Sequence, residues 1–459
     1  MVNRVTAPSR LDRPTEARDR RVVRKAVILA AGHSSRMSPL SKGRSKAMLR
    51  LGGATLLQRC VAALRTLELD ELILVTGHDG AAVADHARSF GDMKVVEAPG
   101  WEGGNGRSLE AAEAHVAGED VFLLVTVDHV FAPRSLRDLV ASGHPSVLID
   151  RSPTAAELAE GTKVVLDGER IVALGKELAS STIDCGAFVL TPTVFDAHRE
   201  ALRSGDASLA GAVSILATTH PLRAVDVAPD SWTDVDAPDD LRVARRRLRR
   251  SLGKSGDGPV SKALNRPVST RISMALAHLR VSPDVVSVVV ALAGVVAALL
   301  LADGRAIAGG IAVQAVSVLD GVDGELARLQ LRASARGAMI DGILDRLVDA
   351  AVIGGLAVWA AATHEPTSVL WLATAALTGA MLSMASKDRA RLLGLTGAPE
   401  RWIGWLLGGR DGRMLAIAVA AVLGQPLIGL GVVAATSLSS VAIRVAFVLR
   451  EPKPRRDEA

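Results

Sequence analysis

Residues 320–345 read DGVDGELARLQLRASARGAMIDGILD. Asp320 and Asp323 are three apart and Asp341 and Asp345 four apart, with Gly324, Ala327, Arg328 and Gly337 set between them. Those intervals place each acidic pair on one helix face. Because the flanking sequence is apolar, one pair is expected at the cytoplasmic end of a membrane span and the other at the start of the next, two facing pairs making a cage. A carboxylate inside a bilayer costs on the order of 2.5–3.5 kcal/mol even on lenient insertion scales. Four near one depth need compensation, which divalent cations supply. Hard oxygen ligands suit Mg²⁺ or Mn²⁺, and such ions commonly hold substrate phosphates too. Gly324, Ala327 and Gly337 remove bulk beside the cage, and Arg328 offers a phosphate fork. For the glycines alone, close helix packing is the competing reading. Asp349 continues the Asp341–Asp345 stripe by a turn and is expected to support it as a packed polar group.

Outward from this stretch, apolar runs lie near 285–302, 306–320, 338–361, 367–386, 413–424 and 427–448. That makes six candidate spans against a requirement of about 20 residues each. The last pair is short and turns at Gly424, Gln425 and Pro426. Basic residues gather in alternate connections: Arg328, Arg332 and Arg336, then Lys387, Arg389, Arg391, Arg401, Arg410 and Arg413, then Arg450, Lys453, Arg455 and Arg456. Such asymmetry marks the cytoplasmic side and puts both termini there. The basic stretch 242–280 then lies at the membrane surface, where each cation gains about 1 kcal/mol from anionic lipid.

The chain has 459 residues, 49% of them hydrophobic and 22% charged, and a mean hydropathy of +0.28. It is too long for one domain and too apolar for one large soluble enzyme. Aromatic residues are 3%, with no Tyr, which argues against a nucleic-acid partner bound by base stacking. Cys60 and Cys185 are its cysteines, too few for a disulfide framework. The expected divisions are a solvated tail over 1–24, a cytosolic α/β domain over 25–247, a linker and juxtamembrane amphipathic segment over 248–280, a transmembrane all-α domain over 281–449 and a cytosolic tail over 450–459.

In the first half, short apolar runs at 26–30, 71–76, 94–97, 121–127 and 146–149 alternate with helix-like stretches at 56–67 and 108–116. This alternation predicts a Rossmann-like α/β domain with a largely parallel sheet. After the first run the sequence is Leu29-Ala30-Ala31-Gly32-His33-Ser34-Ser35-Arg36, with Ser45-Lys46 beyond. A glycine-containing turn after a strand presents N–H groups to phosphate, and Arg36 and Lys46 neutralise charge there.

The aspartate pattern resembles the signature of the CDP-alcohol phosphotransferases, every position matched. The resemblance implies that Asp320, Asp323, Asp341 and Asp345 hold two divalent ions on a CDP pyrophosphate, and that Asp345 deprotonates the attacking hydroxyl. It makes Gly324, Ala327, Arg328 and Gly337 the nucleotide-binding positions. Lys387, Arg389 and Arg391 are candidates for an acceptor phosphate. The first half is similar to sugar-1-phosphate nucleotidyltransferases, with Ser34 in place of a second Gly and Ser45 in place of the Pro before the Lys. Gly104-Asn105-Gly106, Val127-Asp128-His129, Gly161-Thr162-Lys163, Gly175-Lys176, Asp184-Cys185-Gly186 and Trp232-Thr233-Asp234-Val235-Asp236 resemble the CTP:inositol-1-phosphate cytidylyltransferases. That likeness implies Mg²⁺ on Asp128 and Asp234, with Asp236 the alternative. It puts the triphosphate on Gly32, Arg36 and Lys46, the base on Asn105 and Gly106, and the sugar phosphate on Lys163 and Lys176. His129 is also readable as a capped strand-end residue, and Cys185 as buried filler. The segment 257–271 resembles the leading helix of fused inositol enzymes. Together the halves imply that CTP and inositol 1-phosphate give CDP-inositol, which then gives di-myo-inositol phosphate phosphate and CMP, in a membrane homodimer. Two alternatives stay open: a CDP-diacylglycerol-dependent lipid synthase, and a metal transporter with a regulatory soluble half.

Overall fold

The computed structural model describes residues 21–33, 41, 43–253, 256–279, 281–392 and 398–450. They form two compact units that divide at Arg247 and Leu248.

The first unit is built on a nine-stranded sheet. In spatial order its strands are Lys94–Glu97, Glu71–Thr76, Lys25–Ala30, Phe122–Thr126, Ile183–Leu190, Ser146–Asp150, Arg223–Asp226, Arg170–Gly175 and Lys163–Asp167. Ala26–Ala30 and Phe122–Val125 of the central strands are apolar at every position because both faces are covered. Val27, Leu29, Val75 and Leu124 join one core, and Ile28, Leu74, Leu123 and Val125 the other. The first four strands are parallel, and the chain reverses direction across the sheet between Lys25–Ala30 and Phe122–Thr126. A crevice at the carboxyl ends of such strands is the usual ligand position in open α/β sheets.

The expected largely parallel sheet is corrected to a mixed one. Ile183–Leu190 runs antiparallel to both of its main neighbours, and Lys163–Asp167 pairs with Arg170–Gly175 as a tight hairpin. A connection that short permits only antiparallel pairing, and Gly168 with φ +61° turns it. The helix expected over 108–116 instead forms as Asn105–Glu110 and Glu113–Val116. A bond from Ala112 N–H to the Leu109 carbonyl tightens the turn between them, which keeps Leu109, Ala112 and Val116 in one core.

The second unit is helical: α1 Arg266–His278, α2 Pro283–Ala302, α3 Ala306–Leu329, α4 Ala335–Ala361, α5 Pro366–Leu392, α6 Ala398–Trp405, α7 Arg410–Val422 and α8 Pro426–Arg450. Four of these, α2, α3, α5 and α8, are long and apolar enough to cross a membrane. α4 has 27 residues but carries Asp341, Asp345, Arg346 and Asp349 between its N-terminal end and its middle turn. α7 has 13 residues, about 20 Å of helix, less than the roughly 30 Å of a hydrocarbon core. On α2 many large side chains point away from the protein, Val289 at 59%, Leu292 at 62% and Leu299 at 63% exposed, while Gly294, Ala297 and Ala298 are buried together with Val290 and Leu301. Small residues therefore make much of the helix contact. A Cβ on Gly355 of α4 would stand 2.2 Å from the Ala298 carbonyl oxygen of α2, and one on Gly310 of α3 2.7 Å from that of Ala418 on α7.

Two candidate active sites

In the first unit, strand Phe122–Thr126 delivers Asp128 to the crevice. A short ribbon pairs His129–Phe131 with Trp232–Asp234 so that Asp234 lies opposite His129, and the Val235 N–H donates to the Asp128 carbonyl at 3.2 Å. Residues more than a hundred positions apart thus meet. Ser45 caps the short turn Lys46–Met48, its hydroxyl accepting from the Ala47 N–H at 3.3 Å. This aims the largely buried Lys46 ammonium at Asp128 Oδ2, 3.0 Å away, and at Asp236. Burial alone would lower the lysine's affinity for its proton, but Asp128, Asp236 and Asp234 outweigh it and hold its pKa above the ordinary value. Burial works against charge on Asp128 as well, yet Lys46 and His129 hold its carboxyl well below the usual range. Asp234 goes the other way. Burial, with the negative neighbours Asp128 and Asp236, pushes its pKa up to about 7.

The Oδ1 atoms of Asp128 and Asp234 are buried without a hydrogen-bond partner. His129 Nε2 stands 3.9 and 3.8 Å from them, beyond hydrogen-bond reach. One donor atom from each of Asp128, His129 and Asp234 lies within 4.8 Å of the others, and with two carboxyl oxygens left without partners the group fits a divalent cation. Behind them the His129 ring stacks on Trp232 at 5.5 Å. Gly186, with φ +70°, lets the Ile183–Leu190 strand pass this ring, since a Cβ there would lie 2.7 Å from His129 Cδ2.

The other candidates belong to the same unit. Gly32 follows the first strand with open space where a Cβ would be, and Arg36 lies outside the described residues. The Asn105 carboxamide oxygen accepts from the Leu209 N–H at 3.0 Å. Gly106 is packed so closely that a Cβ would stand 2.2 Å from the Ala207 carbonyl oxygen. Lys163 pairs with both Gly175 and Ile183, so Lys163 and Lys176 share the hairpin end nearest Asp184. Cys185 is buried, and burial raises its thiol pKa well above the ordinary value, as a packing role requires.

In the second unit, Leu331 at φ +57° turns the chain between α3 and α4, and the Ser334 hydroxyl accepts from the Gly337 N–H at 3.0 Å. The hairpin brings Asp320, Asp341 and Asp345 within 4.8 Å of one another. They line a cavity of about 1050 Å³ together with Asp323 and Gly324. Asp323 is turned toward α2, its Oδ2 accepting from the Ser287 hydroxyl at 2.5 Å. Three converging hard oxygen donors fit a divalent cation here as well. A Cβ on Gly324 would meet only the Arg328 guanidinium, at 3.4 Å, so helix packing does not require this glycine. Ala327, Arg328 and Gly337 are not part of the cavity wall. Arg328 donates to the Leu252 carbonyl at 3.0 Å. Lys387 and Arg391 line the cavity and Arg389 does not.

Sequence reasoning missed Arg410 and Arg413, counting them as flanking charges of a span. They are not solvated: their side chains are 10% and 1% exposed. Arg410 bridges Asp320 and Asp345 and also holds Asp349, which Arg413 grips from the other side. Two arginines three apart at the start of a helix that is apolar from Met414 onward were the available signal, since buried charges come paired.

These two centres, a crevice of lysine and carboxylates on an α/β sheet and a carboxylate cage in a helical bundle, define a nucleotidyltransferase joined to a CDP-alcohol phosphotransferase. Residues 26–159 match the MobA-like NTP transferase domain and 280–399 the CDP-alcohol phosphatidyltransferase family. The bifunctional IPC transferase and DIPP synthase of Rubrobacter xylanophilus is 37% identical over 87% of this chain and 91% of its own. Its namesake in Thermococcus kodakarensis is 36% identical over 81% and 83%. The chain belongs to this family of bifunctional IPC transferases and DIPP synthases. Among solved structures, the inositol-1-phosphate CTP transferase of T. maritima covers 49% of this chain and 95% of its own, at 23% identity and a TM-score of 0.45, too distant to bear on the assignment.

Proposed function

We propose that the first unit joins CTP and inositol 1-phosphate into CDP-inositol and pyrophosphate, and that the second joins CDP-inositol to an inositol phosphate, giving di-myo-inositol phosphate phosphate and CMP. The observation that carries this is the convergence of Asp320, Asp341 and Asp345 on a cavity large enough for a nucleotide, in the same chain as the Lys46–Asp128–Asp234 centre.

In the first unit, Lys46 and Arg36 meet the triphosphate with the Gly32 turn, Asn105 and Gly106 read the base, and Lys163 and Lys176 hold inositol 1-phosphate. Its phosphate oxygen attacks the α-phosphorus of CTP, and the bond to the leaving pyrophosphate breaks. Asp128 and Asp234 would hold Mg²⁺, which supplies charge neutralisation between the two anions. Asp234 must lose its proton to ligate. The apparent Mg²⁺ affinity for pyrophosphate release is therefore expected to fall about tenfold per pH unit below 7 and to level off above 8. Mg²⁺ titrations between pH 6 and 8 check this, and a flat profile contradicts it.

In the second unit, Asp320, Asp323, Asp341 and Asp345 would hold two Mg²⁺ or Mn²⁺ ions, which stabilise charge on the pyrophosphate and the departing CMP. Asp345 takes the proton of the acceptor hydroxyl as its oxygen attacks the inositol-bearing phosphorus. Gly324 borders the nucleotide, while Ala327, Arg328 and Gly337 lie off the cavity wall; of the basic candidates, Lys387 and Arg391, which line the cavity, receive the acceptor's phosphate. The bundle of α2–α5, α7 and α8 spans the cell membrane six times as a homodimer, with the bilayer thinned around α7. Both termini and both sites lie on the cytoplasmic side, where Trp402 and Trp405 of α6, 64% and 74% exposed, suit the interface. Purified full-length protein given CTP, inositol 1-phosphate and Mg²⁺ is expected to form a water-soluble inositol phosphodiester by mass spectrometry. An organic-extractable product would contradict the reading.

A further inference from the structure

Arg410, at the start of α7, is held from two directions. Its Nε donates to Asp349 Oδ1 at 2.8 Å. The other Asp349 oxygen accepts from Arg413 Nη2 at 3.1 Å, and Arg413 Nη1 donates to the Gly408 carbonyl at 3.1 Å. Asp349 is 3% exposed, so this carboxylate, outside the cage, fixes the plane of the guanidinium from behind. In front, Arg410 Nη1 reaches Asp320 of α3 and Asp345 of α4, the latter at 3.0 Å. One side chain therefore ties together carboxylates of two helices, and it does so on the cavity wall. A planar fork clamped in this way keeps its direction, which a lysine on a flexible stem would not.

The consequence concerns cations. A carboxylate oxygen engaged by a guanidinium cannot offer the same lone pair to a metal ion, and two positive charges a few ångströms apart repel in a site of low dielectric. We propose that Arg410, clamped by Asp349, is a positioning residue of the phosphotransfer site that sets the separation of Asp320 and Asp345 and competes with the divalent cation for Asp320. The proposal rests on the reading of the aspartates as metal ligands. On arrival of the cation, Arg410 yields Asp320 while Asp349 and Asp345 retain it, so Asp345 stays aimed at the acceptor hydroxyl. Cation affinity is thereby held below what three converging carboxylates alone would give.

The test uses the full chain in detergent with Asp128→Asn and Asp234→Asn, which remove the soluble cation site. Bound Mn²⁺ is measured from the electron paramagnetic resonance signal of the free ion. Arg410→Gln is expected to tighten Mn²⁺ binding about tenfold while slowing CMP release from supplied CDP-inositol. Arg410→Lys, which keeps the charge and reaches fewer carboxylates, is expected to tighten binding by a smaller factor and decides the matter if the Gln variant does not fold. Weaker or unchanged Mn²⁺ binding overturns the proposal, since an arginine that only supports the fold would leave a disordered cage. If the protein with Arg410 intact binds no Mn²⁺, the reading of the aspartates as metal ligands fails first and the proposal falls with it.

Discussion

Asp345→Asn is expected to abolish CMP release while pyrophosphate release from CTP continues, so that CDP-inositol accumulates. The amide has nearly the shape of the carboxylate but cannot accept the hydroxyl proton, and loss of a general base costs about 10²–10⁴-fold. It also offers Arg410 no negative charge where the structure has an ion pair at 3.0 Å. Both effects act on the second unit alone. Anion-exchange chromatography of nucleotides from the purified variant measures the outcome. CMP appearing at the unsubstituted rate would remove Asp345 from the chemistry.

The second large effect is the reverse image. Asp128→Asn is expected to slow pyrophosphate release roughly 10³-fold, the rate equivalent of several kcal/mol of lost charge stabilisation. Lys46 loses an anionic partner at 3.0 Å but keeps Asp236, so the fold should hold. Phosphotransfer from supplied CDP-inositol should proceed unchanged. A variant that fails on both reactions, with an intact melting profile, would contradict independent roles for the two centres.

How much of this could be read from the chain alone depended on distance along it. The pairing of Asp320 with Asp323 and of Asp341 with Asp345 follows from helical period, because each pair falls on one turn. Strands Glu71–Thr76 and Lys94–Glu97 have the limits expected of them, since turn residues lie at or just beyond their ends: Asp70 and Gly77 for the first, Asp92 and Pro99 for the second. Nonlocal register was invisible. Nothing in 232–234 announces that Asp234 pairs opposite His129, and nothing in 183–190 announces an antiparallel strand inserted into a parallel sheet. Charge counting failed at Arg410 and Arg413 because composition records a basic residue near a span without recording whether water or carboxylates surround it. At 413–424 apolarity alone could not set the helix's limits, since α7 runs Arg410–Val422 and takes in both arginines.

The central claim is that one half produces the CDP-alcohol that the other half consumes. Mixing the Asp128→Asn and Asp345→Asn proteins with CTP, inositol 1-phosphate and Mg²⁺, and following di-myo-inositol phosphate phosphate and CMP together, tests it most directly. Each variant alone should yield neither product, and the mixture should yield both in equal amounts through released CDP-inositol. A mixture that stays inactive while the Asp345→Asn protein is visibly filling the solution with CDP-inositol would contradict the account.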